Sequence, residues 1–155
     1  MVRRMFRHPG LAMVVMALTC TSANLVVERS GADARPGRYL VKAGTVYDTK
    51  TKLTWQEGIA PSPFSLVDAT SYCKGLDLNV LAWRLPSVKE LETLVDESRV
   101  NPSIDHVAFP DTPGKFFWTS SVVANFPSNG WTVDFNRGGD NYFPLTSSQL
   151  VRCVH

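Results

Sequence analysis

A chain of 155 residues, 44% hydrophobic and 19% charged, has the composition of one globular domain and no room for a second of full size. Aromatics at 10% exclude disorder over most of it. The formal charge of +2 (16 Lys+Arg, 14 Asp+Glu) belongs to the leader: residues 1–23 carry Arg3, Arg4, Arg7 and no acid, leaving 13 basic against 14 acidic groups, a net of −1. That balance gives no global electrostatic case for nucleic-acid binding.

Residues 1–23 read as a secretory signal peptide. Three arginines precede an eight-residue apolar run, Leu11 to Leu18, and small polar residues follow up to a cleavage point after Ala23. Eight apolar residues are too few to span a bilayer, which needs about 20. Cys20 opens a second route, lipidation and membrane anchoring, although Ala17-Leu18-Thr19 departs from the usual lipoprotein pattern. The expected location is secreted or periplasmic, with a membrane-anchored lipoprotein as the alternative. Residues 24–37 are polar, carry Gly31, Pro36 and Gly37, and read as a flexible spacer.

The domain is expected over 38–155. Two β-prone stretches, Thr45–Asp48 and Leu53–Gln56, flank the polar Thr49–Lys52 and read as a hairpin. Ser65 and Asp68 form a helix start, followed by Leu66, Ala69, Thr70 and Cys73 at helical spacing and Gly75 as the stop. Ser87 and Glu90 start a second helix with the stripe Val88, Leu91, Leu94 and Val95. Both helices are short and must pack on something larger. Residues 97–115 are irregular, with Pro102, Pro110 and Pro113. Strands are expected at Phe116–Thr119, Gly130–Phe135, Tyr142–Phe143 and Leu150–Val154, with the turn Asn136–Asp140 between two of them.

With the leader removed, two cysteines remain, Cys73 and Cys153, and an even number in an exported chain points to one disulfide. A metal site would need partners that His106 and His155 do not supply at any ligand spacing.

The order of short motifs is specific: Val46-Tyr47-Asp48, Leu53-Thr54-Trp55-Gln56, Tyr72-Cys73, Trp83-Arg84-Leu85-Pro86-Ser87, Phe117-Trp118-Thr119-Ser120-Ser121, Trp131-Thr132-Val133-Asp134-Phe135 and Val151-Arg152-Cys153-Val154. It resembles the family named for the C-terminal domain of the Legionella collagen-like adhesin, over residues 38–155. The resemblance implies an α+β, C-type lectin-like fold, with two short helices flanking small antiparallel sheets and a long loop region. It also implies a disulfide from the first helix to the last strand, the elements of Cys73 and Cys153. The family's fold is similar to that of formylglycine-generating enzymes, and its founding adhesin binds sulfated glycosaminoglycans. Polyanion binding would need a local basic patch, since Lys and Arg are scattered here.

Chemistry is sparse. No nucleophile stands beside a base, and no sequence signal pairs carboxylates. The only mature cysteines read as structural, so no enzyme is expected. No cofactor is expected either. Calcium is conceivable: Asp134, Asn136 and Asp140 superficially resemble a calcium loop, and Asp96, Asp105 and Asp111 could gather in the long loop. The lectin E-P-N and Q-P-D triplets are absent. Trp55, Trp83, Trp118 and Trp131 are expected in the core, Arg84 in a carboxylate pair, and His106 on the surface. Phe126, Tyr142 and Phe143 lie near turns, where exposed aromatics serve recognition.

The expected function is therefore a non-enzymatic exported binding module for a glycan or a surface protein. The alternatives are a structural or lipid-anchored envelope protein without a small ligand, and a relative of formylglycine-generating enzymes. The irregular stretches 97–115 and 122–129 and the turn 136–141 are expected to be free of core duty and to converge on one face. The expected ligand contacts are Asp105, Asn136, Arg137 and Asp140, with Phe126 as an apolar platform.

Overall fold

Both helices begin where a serine side chain replaces a missing backbone partner. In the computed structural model, which describes residues 37–79 and 81–155, Ser65 caps α1 (Leu66–Lys74) and Ser87 caps α2 (Val88–Glu92). Each cap sits in extended backbone and accepts the N–H three residues on, Asp68 or Glu90. Glu90 reaches back to the Ser87 N–H and completes a capping box. The expected signal peptide, its Cys20 and the spacer up to residue 36 lie outside the described residues.

The first sheet is antiparallel, ordered β1-β2-β3: β1 (Tyr39–Lys42), β2 (Thr45–Asp48) and β3 (Thr54–Gln56). The hairpin of β2 and β3 is the expected one. β1 is an addition, joined to β2 through Ala43 and Gly44, both at positive φ (48° and 81°). Two successive left-handed residues match the twist of the strands that they join.

The second sheet, β4-β5-β6, is also antiparallel: β4 (Phe116–Val123), β5 (Phe126–Asp134) and β6 (Asp140–Pro144). Two expectations are corrected here. The stretch 122–129 is not irregular; it is the end of a long hairpin in which Val123 pairs with Phe126. Leu150–Val154 is not a strand. Its backbone is shared among three neighbours, with isolated bridges to Trp55, Arg84 and Phe117, so no continuous ladder forms. Hydrogen bonds from Trp118 N to Leu150 O, Gln56 N to Cys153 O and Arg84 N to Val154 O make this segment the seam between the sheets.

Two apolar clusters lie on either side of that seam. One gathers Val46, Trp55, Leu91, Phe109, Phe117 and Val133; the other gathers Ala69, Cys73, Trp83, Leu85, Trp118 and Cys153. Cys73 and Cys153 are bonded, 5.5 Å apart at Cα, and tie α1 to the seam. Residues 97–115 are irregular as expected, but they are not free of core duty. Ile104, Ala108 and Phe109 are buried, because the loop fills the space beside α2 that no regular element occupies. The described domain is thus α+β, with two short helices and two three-stranded antiparallel sheets.

Candidate functional site

On the second sheet, three aromatic side chains form a row that the fold leaves partly exposed. Register pairs Trp131 on β5 with Tyr142 on β6, and their rings meet edge to face at 5.7 Å. Phe126, at the start of β5, lies 6.4 Å from Tyr142 with the two planes only 12° apart. Cross-strand contacts of this kind fix ring orientation before any ligand arrives. Phe126 is 56% exposed and Tyr142 46%. Trp131 is half-buried, which corrects its expected place in the core; Trp55, Trp83 and Trp118 are buried as expected. Phe143 packs instead on Phe116 at 4.9 Å, against the second apolar cluster.

The other expected contacts lie elsewhere. Asn136 and Arg137 are exposed in the β5–β6 turn, and Asp140 is exposed at the start of β6. The long loop meets that turn through Asn101 N to Asn136 O (2.8 Å) and Ser103 N to Phe135 O (2.7 Å). The hairpin tip does not join them. β4 pairs Phe116 with Asp134 at one end and Val123 with Phe126 at the other, and eight extended residues span roughly 25 Å. Phe126 and Arg137 therefore do not share a site. Asp105 is buried, and its Oδ1 accepts the N–H groups of Val107 and Ala108, so its first role is to hold the loop.

Asp105 also lines a cleft of about 540 Å³ with Arg38, Tyr39, Lys50, Thr93 and Asp96. Its size suits a small ligand, and several of its polar groups already have protein partners. Arg38 donates to Asp48 (2.9 Å) and to Thr93 O (2.7 Å). Burial would push the Asp48 carboxyl up; Arg38 and the Lys50 N–H outweigh it and hold it below the ordinary range. Asp96 accepts from Ser98 and Arg99. Burial pushes the Tyr39 hydroxyl up, so it stays protonated.

Among the described residues, no three His, Cys, Asp or Glu side chains are placed to hold a metal. Asp134 of the calcium-loop resemblance accepts the Asn136 N–H and so closes its own turn. Arg84 pairs with Glu90 as expected. Arg152, which carried no expectation, is fully buried, with no carboxylate in contact among the described residues. It donates to Glu57 O, Gly58 O and Thr112 Oγ1, and lies 4.6 Å over the Phe109 ring. Burial pulls its pKa down to about 9.

Tyr142 was legible because it adjoins the Asn136–Asp140 turn signal, and Phe126 because the stretch 122–129 reads as irregular. Trp131 was not, since its alternation with Val133 is the same on a covered sheet face as on an open one. Residues 44–155 match the family model described as the Lcl C-terminal domain, and the chain belongs to that family. No curated protein matches the chain.

Proposed function

We propose that this domain is a non-catalytic, exported recognition module that binds a glycan on the row Phe126, Tyr142 and Trp131. The carrying observation is the row itself: three mutually oriented rings, two of them about half exposed, on a rigid sheet. Aromatic faces stack on the C–H faces of sugar rings while hydroxyl and amide groups satisfy the sugar hydroxyls. The three rings, half covered already, leave on the order of 300 Å² open, whereas a stable protein interface takes about 800 Å² from each partner. That comparison favours a glycan over a folded protein.

Export is supported by the Cys73–Cys153 bond, which persists in oxidising compartments. Its span from the first helix to the terminal segment, with two helices beside two small sheets, supports a C-type lectin-like arrangement. The reading of the domain as non-catalytic is supported by the cleft's Arg38 and Asp96, both held in hydrogen bonds within the protein.

The test is a glycan array probed with the wild-type chain and with a Phe126→Ala/Tyr142→Ala double variant. The expected result is retention of particular glycans by the wild type and at least tenfold weaker binding by a variant with an unchanged melting temperature. An array with no bound glycan would overturn the proposal.

A further inference from the structure

The second sheet is almost without cations. Between residues 116 and 151 the only Lys or Arg is Arg137, and β4, β5 and β6 contain none. Arg137 sits in the β5–β6 turn. Along both strands a carboxylate, Asp134 on β5 and Asp140 on β6, comes between the aromatic row and that arginine. Apart from those two carboxylates, the polar groups on the strands that carry the row are neutral: Ser128, Asn129 and Thr132 on β5, and Asn141 on β6. Asn141 Oδ1 accepts the Tyr142 N–H at 2.8 Å, but strand alternation puts its side chain on the face opposite the Tyr142 ring.

We propose that the ligand of the row is an uncharged oligosaccharide and not a sulfated or uronic-acid-rich one; this rests on the glycan reading above. Sulfate and carboxylate groups are recognised by guanidinium and ammonium donors, and strands that carry none give those anions no such partner on the sheet itself. Asp140 beside the row would add like-charge repulsion. A neutral sugar meets neither cost. Its C–H faces lie on the rings, and Asn129, on the same face of β5 as Trp131, is there for its hydroxyls.

The full chain is titrated calorimetrically with chito-, cello- and β-galacto-oligosaccharides and, separately, with heparin and chondroitin sulfate, at low and high salt. The expected result is binding of at least one neutral series. Its affinity should change by less than about twofold with salt, fall at least tenfold in Tyr142→Ala and persist in Arg137→Ala. Binding of the sulfated polymers alone, weakening steeply with salt, would overturn the neutral assignment and leave the glycan reading standing. Binding of neither class would overturn both. So would a self-associating chain that Tyr142→Ala makes monomeric, because a second copy would then occupy the row.

Discussion

Glu90 holds both ends of the Arg84 guanidinium, at 2.8 and 2.6 Å, while its Oε2 accepts the Ser87 N–H and hydroxyl. The backbone of Arg84 pairs with Val154 in both directions, so this one carboxylate connects the start of α2 to the terminal seam. The Arg84 hydrogen bond, opposed by burial and assisted by Ser87, brings the Glu90 pKa down to about 2 from an ordinary 4.5. The unfolded chain therefore binds that proton more readily than the folded one. The stabilisation is complete above pH about 4.5 and is lost as pH falls toward about 2. Urea midpoints measured across this range should fall less steeply in Glu90→Gln than in the wild type; parallel curves would contradict the assignment.

The cap itself is tested by Ser87→Ala, which removes the acceptor for the Glu90 N–H. The expected cost is about 1 kcal/mol. An unchanged denaturation midpoint would place the helix start elsewhere.

The α2 start was legible because S-x-x-E followed by an apolar stripe has one physical meaning. The same holds for Ser65 and for the polar turn between β2 and β3. β1 was not, since Tyr39–Lys42 alternates only half-buried and exposed positions at a sheet edge. The end of the β4–β5 hairpin escaped notice because its turn, Ala124–Asn125, carries no glycine. Burial of Ile104 and Phe109 follows no local period; it is set by contacts distant in sequence.

Arg152 joins three segments that share no sheet: Glu57–Gly58, Thr112 and the seam. Arg152→Met keeps much of the apolar stem but leaves two carbonyls and a hydroxyl without their donor. A loss of about 3 kcal/mol is expected by chemical denaturation. A neutral result would mean that packing on Phe109 and Phe117, not the hydrogen bonds, fixes this residue.

The β5–β6 turn depends on Gly138, at φ +84°, where an added Cβ would stand 2.6 Å from Val95 Cγ1. Gly138→Ala combines a strained backbone with a clash against the residues following α2, and should cost about 1–2 kcal/mol. A melting temperature within error of the wild type would show that the turn relaxes freely.

Reduction should be costly. The Cys73–Cys153 bond closes a sequence separation of 80 residues, and on the chain-entropy account such a crosslink stabilises by roughly 4–5 kcal/mol. The paired Cys73→Ser/Cys153→Ser variant should show a loss of a few kcal/mol. Thiol titration of the unreduced, unfolded mature domain should find neither cysteine free.

The location of the binding surface is tested most directly by amide and indole N–H chemical shifts during titration with the neutral oligosaccharide that binds calorimetrically. The Trp131 indole and the backbone signals of Phe126, Asn141 and Tyr142 should move together and saturate at one affinity. The indoles of the buried Trp55, Trp83 and Trp118 should stay in place. Shifts centred instead on Arg38, Lys50 and Thr93 would put the ligand in the cleft, and shifts centred on Asn136 and Arg137 would put it at the turn. Either result would contradict recognition by the aromatic row.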